Sequence, residues 1–147
     1  MISIILDLID YNFINKESLF LSLFTLLSII FIKIDNRYLI KVFLLGIFYD
    51  LIFTNYYLLH GFIFILIGFL VIFFYKYNKY TVINNLFLGI VIMILYQLLL
   101  FIIFNLTRIN MLNFDQFLYI IKHFIIINII YIILLSIIKN KKLNSFI

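Results

Sequence analysis

The 147-residue sequence contains no cysteine, no proline, no tryptophan and no alanine. Without cysteine there is no disulfide, no thiolate metal site and no thiol nucleophile, and redox chemistry gives no clue to the compartment. The absence of Pro, Ala and Trp beside an excess of Ile, Phe, Tyr, Asn and Lys is what an AT-rich genome produces. The 19 Phe and 11 Tyr are therefore mostly compositional background. Charge is also scarce. Only 12% of residues are Asp, Glu, Lys or Arg, against about a quarter in soluble domains. Eleven Lys and Arg and six acids are too few to cover a water-soluble core. With 67% hydrophobic residues and a mean hydropathy of +1.28, lipid is the solvent that fits.

The first fifteen residues hold Asp7 and Asp10 and no basic residue before Lys16. They lack the charged start and small-residue cleavage site of a signal peptide, so the chain is expected to be retained whole. A helix needs roughly 20 apolar residues to cross the hydrocarbon layer, and the charged and Asn-rich breaks leave five such stretches: 18–34, 38–55, 57–75, 82–106 and 117–138. Unbroken runs such as Phe62-Ile-Phe-Ile-Leu-Ile lack the alternation of a membrane β-barrel. The expected fold is an all-α integral membrane domain, a compact bundle of five transmembrane helices. Residues 2–13 add a short interfacial helix or a truncated sixth span.

The loops after the first, third and fifth stretches carry Lys33, Arg37 and Lys41, then Lys76 and Lys79, then Lys139, Lys141 and Lys142. The opposite side has Lys16, Arg108 and Lys122 against Asp7, Asp10, Glu17 and Asp115. The positive-inside rule places the C-terminus in the cytoplasm and the N-terminus outside. The basic loops read as topology signals, not as nucleic-acid patches. No repeat, linker or second domain is visible.

Asp50 is the most informative residue. An aspartate near the centre of a span costs about 2.5–3.5 kcal/mol on insertion scales, so it must be paired, protonated or turned into the bundle. It lies nine residues beyond Lys41, about 13.5 Å deeper at ~1.5 Å per residue. Gly46, four residues earlier, shares its helical face and lets a neighbouring helix approach closely. The counter-charges expected for Asp50 are Lys122 or His123 on the last span, with His60 at the outer start of span three as a third candidate. Lys122 has the alternative of snorkelling to the headgroups. Gln97 and Asn128 are expected to serve as interhelical glue. No phosphate loop, nucleophile motif or metal-ligand spacing can be read, and His60 and His123 are not placed as a metal pair. The expectation is a protein without cofactor, metal or catalytic activity.

The stretch Phe43-Leu-Leu-Gly-Ile-Phe-Tyr-Asp-Leu-Ile-Phe-Thr-Asn-Tyr-Tyr-Leu-Leu-His-Gly-Phe-Ile-Phe, followed by Tyr75 and a basic break, resembles the characteristic segment of the rod-shape-determining MreD family. That segment has a Gly, an Asp four residues on, and a Gly-Leu-His or Gly-Leu-Asn turn opening the next span. Position by position, the family's glycine falls on Gly46, its aspartate on Asp50 and its turn histidine on His60. The turn glycine falls on Leu58, where this sequence departs. Gly61 supplies a small residue three positions later.

The resemblance implies a non-enzymatic scaffold of the bacterial wall-elongation complex in the plasma membrane. Its partners would be MreC first, with RodA, a class B penicillin-binding protein and MreB in the wider assembly. It makes Gly46, Asp50, His60, Gly61, Lys122 and His123 the candidate structural or partner-binding residues. The competing expectation is a substrate-binding subunit of an energy-coupling-factor vitamin transporter. Such a subunit shares the bundle plan, and Asp50, His60, Gln97, Lys122 and His123 would line its outer polar layer. Short loops and the lack of a small-xxx-small docking motif count against it. An intramembrane enzyme would need two cooperating polar groups in one cavity, for which Asp50 with His123 is the sole pair.

Overall fold

Several helix starts and stops can be traced to particular side chains. The computed structural model describes residues 3–8, 23–53, 58–107, 126 and 128–139. Among these, all regular structure is helical. Residues 3–8 form α1; α2 is Phe24–Ser28, continued by a 3-10 turn at Ile29–Phe31; α3 is Tyr38–Phe53; α4 is Leu59–Tyr77; α5 is Val82–Thr107; and α6 is Asn128–Lys139.

Asp35 sets up α3. Its carboxylate accepts the Arg37 N–H at 3.0 Å, and its second oxygen meets Lys41 Nζ at 2.5 Å. This is a local Asx-type turn that starts a helix. Asn78 closes α4 by donating both its backbone N–H and its side-chain amide to the Phe74 carbonyl. Thr81 opens α5 by accepting the Asn84 N–H on its hydroxyl at 3.2 Å, a capping bond to an otherwise orphan donor.

Two helices are long and apolar enough to cross a membrane, α4 with 19 residues and α5 with 26. At ~1.5 Å rise per residue they reach about 28 and 39 Å, against a hydrocarbon layer of about 30 Å. Their boundaries match the expected spans to within two residues. The expected span 38–55 is seen as α3, Tyr38–Phe53, with residues 54–57 outside the described set. Of span 117–138, the helix Asn128–Lys139 and residue 126 are described.

The expected first span, 18–34, is corrected. Its helix begins at Phe24, with Leu23 as its N-cap, and ends at Phe31. Ile32 already has extended backbone, φ −69° and ψ 138°. An uninterrupted apolar run gave no hint of either break, because both are made by distant side chains. Asp7 of α1 accepts the N–H of Phe24 at 3.1 Å and of Thr25 at 2.8 Å, which satisfies two of the first-turn donors. At the other end, three successive carbonyls are each taken by a different element. Tyr38 Oη donates to Ile29, Tyr80 Oη to Ile30 and Lys139 Nζ to Phe31, at 3.1, 3.2 and 3.1 Å. A lysine at this end also opposes the partial negative charge of the helix C-terminus.

Those contacts gather the end of α2, the start of α3, the α4–α5 loop and the end of α6 at one pole. Lys139 lies 4.1 Å over the Tyr80 ring, and Tyr80 stacks on Tyr75 at 4.9 Å. Tyr75 Oη donates to Asn85 Oδ1, whose amide donates to Ser136 Oγ at 3.0 Å. The basic residues Lys33, Arg37, Lys41, Lys76 and Lys79 sit exposed on the loops and helix ends that meet there.

Large apolar side chains are exposed on the outer helix faces as well as buried in the core. Phe62, Leu66, Phe69 and Phe73 form an outward stripe along α4, with Phe73 67% exposed. Its inward face holds His60, Gly61, Phe64, Ile67, Gly68 and Val71. Asp7, Thr25, Asp50, His60, Asn85, Gln97, Asn128 and Ser136 are all buried. Apolar patches this extensive are rare on soluble monomers.

Candidate functional site: a polar lock between three helices

The sequence places Gly46 and Asp50 one turn apart on α3, and the fold turns that face onto α4. Tyr38, Val42, Gly46, Tyr49 and Asp50 are its buried residues, spaced as one helical stripe. A Cβ on Gly46 would stand 2.6 Å from Gly61 Cα and 2.6 Å from the His60 carbonyl oxygen. The two backbones therefore touch, which is the role of small residues in helix packing within lipid. Gly61 fits against the ring of Phe43, where a Cβ would come within 2.9 Å.

One turn beyond that crossing, Asp50 meets the start of α4. Its Oδ2 accepts the His60 N–H at 2.9 Å, and its Oδ1 lies 2.5 Å from His60 Nδ1. The imidazole's other nitrogen, Nε2, lies 2.9 Å from Tyr96 Oη on α5. With the proton on Nδ1, the ring donates to Asp50 and accepts from Tyr96, which satisfies both nitrogens. The Tyr49 ring packs on His60 at 4.9 Å. Asp50 is 4% exposed and His60 3%, so the chain of polar groups is fully enclosed.

Entry to this arrangement passes through Leu58, whose φ of 66° puts it in the left-handed region. For a leucine that conformation costs roughly 1–2 kcal/mol. It lets the chain turn into α4 directly under Asp50. Leu58 is the position at which the sequence lacks an expected glycine, so the turn is made without one.

Of the six candidate residues, Gly46, Asp50, His60 and Gly61 come together in this lock. Lys122 and His123 lie outside the described residues. The expected pairing of Asp50 with either of them therefore lies outside the described set, while His60, the third candidate, is brought to Asp50 from ten residues away. Gln97 and Asn128, expected as interhelical glue, are both buried, and their side-chain carbonyl oxygens, like Thr25 Oγ1, have no hydrogen-bond partner among the described residues.

Three participants escaped sequence reading. Tyr49 and Tyr96 were hidden in a tyrosine-rich background, although Tyr49 adjoins Asp50 and Tyr96 adjoins Gln97. Asp7 looked like an interruption of a weak span. Its carboxylate in fact caps α2. No group of three His, Cys, Asp or Glu residues able to hold a metal occurs among the described residues. The lock contains an acid, a base and two phenols, with the acid and the base joined across α3, α4 and α5. Compared with known proteins, the chain matches no family, no curated protein and no solved structure.

Proposed function

We propose that this chain is a non-enzymatic, multi-pass scaffold of the MreD type, serving the bacterial wall-elongation complex. It would cross the plasma membrane about five times with its C-terminus in the cytoplasm. The observation that carries the reading is the α3–α4 hairpin. The positions on which the resemblance rests, Gly46, Asp50 and His60, form one contact. Leu58, which stands in for the turn glycine, adopts the backbone a glycine would favour. The outward apolar faces and buried polar residues support a lipid setting. The gathering of basic residues at one pole supports the proposed orientation.

In this reading the lock makes the α3–α4 pair rigid, so that its outer faces present fixed apolar relief to a partner's transmembrane helix. Recognition then runs on packing and on a few hydrogen bonds, since burial from lipid supplies little driving force. The first partner is a bitopic MreC-type protein. The test is co-purification in mild detergent of the tagged full chain with the MreC encoded in the same genome. Stable co-elution is the expected result. Failure to co-elute, together with a vitamin bound to the isolated chain, would replace this reading with the transporter-subunit one.

A further inference from the structure

The basic pole carries charge that the described residues do not balance. Lys33, Arg37, Lys76 and Lys79 are exposed and have no ion-pair partner among those residues. Lys41 is spent on Asp35, and Lys139 on the Phe31 carbonyl and the Tyr80 ring. Of the six acids in the sequence, Asp7 and Asp50 are buried and Asp35 belongs to Lys41. Asp10, Glu17 and Asp115 fall in stretches that the charge pattern assigns to the opposite side. Beyond Lys139 the sequence adds Lys141 and Lys142 and no acidic side chain.

Helix register sets the four free cations in one band. Gly46 faces Gly61, and Gly68 faces Tyr38 and Leu39, so α4 runs on past the start of α3 for the nine residues from Gly68 to Tyr77. At ~1.5 Å per residue that overhang is about 13.5 Å. The Phe31 ring lies 6.4 Å from that of Tyr80, so residues 32–37 run back along those last turns of α4. Lys33 and Arg37 on this segment therefore share a pole with Lys76 and Lys79 at the end of α4.

The border of the band is apolar. Ile34 and Ile40 are exposed among the basic residues at the entry to α3, and Phe73 and Tyr77, each 67% exposed, flank Lys76. The Lys76 ammonium lies 5.5 Å over the Tyr77 ring. Amphipathic rings beside long basic side chains suit a membrane–water boundary. An acidic soluble partner would neutralise the cations and leave these apolar groups in water. A phospholipid covers both, with its phosphate at the band and its acyl chains along the stripe of Phe62, Leu66, Phe69 and Phe73.

We propose that this pole is a binding surface for anionic phospholipid headgroups, with Lys33, Arg37, Lys76 and Lys79 as the cations that face the phosphates. Acidic leaflets attract basic residues placed at the membrane surface, and anchors of this kind fix the depth and tilt of a helix bundle. The inference rests on the membrane setting proposed above and not on the MreD role.

The test reconstitutes the full chain into vesicles of equal phosphatidylcholine and phosphatidylglycerol, extracts it in mild detergent and measures the ratio of the two lipids it retains. The expected result is a several-fold enrichment of phosphatidylglycerol that weakens as salt rises. Lys76→Gln with Lys79→Gln should lower the enrichment, and adding Lys33→Gln and Arg37→Gln should abolish it. Lys16→Gln with Arg108→Gln removes the same charge as the first pair and should leave most of it. All these variants should match the parent's unfolding midpoint in phosphatidylcholine alone. Retention of the two lipids in the vesicle ratio, or equal loss from both charge pairs, would overturn the proposal. Displacement of phosphatidylglycerol by inorganic phosphate or by polyglutamate at matched ionic strength would overturn it in favour of a free anion or an acidic protein. A chain that stays folded and monomeric without detergent or lipid would instead overturn the membrane setting itself.

Discussion

Asp50 holds His60 twice, through the backbone N–H at 2.9 Å and the ring Nδ1 at 2.5 Å. A single carboxylate thereby caps the first turn of α4 and fixes the orientation of an imidazole that reaches a third helix. The same device recurs at α2, where Asp7 accepts two successive backbone N–H groups. In both cases an acid that is expensive in lipid is held by the positive end of another helix.

Gly46→Ala is expected to destabilise the bundle by roughly 1–3 kcal/mol, the range of overpacked cores. The new Cβ would meet backbone atoms of His60 and Gly61 that cannot rotate away. Gly68→Ala is the control. Its nearest neighbours are side-chain atoms of Leu39, Val42 and Tyr38 at 3.2–3.5 Å, and the gain in helix propensity of about 0.8–1 kcal/mol offsets a small readjustment. Denaturant titration in mixed micelles should separate the two clearly.

Leu58→Gly should stabilise the fold. Release of left-handed strain of about 1–2 kcal/mol outweighs the extra chain entropy of glycine, about 0.5–1 kcal/mol, and the exposed Leu58 side chain gives up little packing. A rise in unfolding midpoint relative to the parent is the expected outcome. A fall would mean that the turn is not strained.

The capped end of α2 makes a graded prediction. Tyr80→Phe removes the hydroxyl that donates to the Ile30 carbonyl and should lower stability by about 0.5–1.5 kcal/mol, the net worth of one hydrogen bond. Lys139→Met removes both the bond to the Phe31 carbonyl and the cation over Tyr80. It should lose more at high pH than at neutral pH, because a lysine whose pKa folding lowers adds to the parent's stability as pH rises. Burial holds the Lys139 pKa below its ordinary value, so as pH rises the parent's ammonium deprotonates in the folded chain before it does in the unfolded one. Comparing the two variants at pH 7 and pH 10 reads this out.

Asp35 gives the acid-side counterpart. The Lys41 side chain, joined by the Arg37 N–H, holds its carboxyl below the ordinary aspartate value. The unfolded chain therefore takes up the proton first as pH falls, and the stability this turn contributes is present above the unfolded pKa and lost through the folded one. Asp35→Asn should unfold slightly earlier than the parent at pH 7, and the gap should close below about pH 4, near the ordinary aspartate pKa.

Much of the α3–α4 pair was legible because its signals are local. Gly46 and Asp50 are one turn apart, Lys41 marks one end of the span, and His60 opens the next helix. The long runs of α4 and α5 were equally readable from length alone. The rest was hidden by the apolarity of the helices themselves. When both faces of a helix are apolar, periodicity no longer tells inside from outside, so the break at Leu23 and the stop at Phe31 left no trace in the pattern. Both depend on Asp7, Tyr38, Tyr80 and Lys139, which are between 9 and 108 residues away from the groups they hold. Tyr96 could have been suspected only from its place beside Gln97, one of the few polar residues of α5.

The central claim, that Asp50 and His60 act as one unit joining α3, α4 and α5, is tested most directly by a double-mutant cycle on unfolding of the full chain in micelles. Asp50→Leu alone leaves the imidazole with Tyr96 as its remaining partner, and His60→Leu alone leaves the carboxylate with only the backbone N–H of its His60 contacts. Each single change is expected to lose about 3–5 kcal/mol, as for a broken buried pair. The double variant should lose distinctly less than the sum, with a coupling of about 1 kcal/mol or more. Losses that add to within about 0.5 kcal/mol, the behaviour of independent sites, would contradict the account.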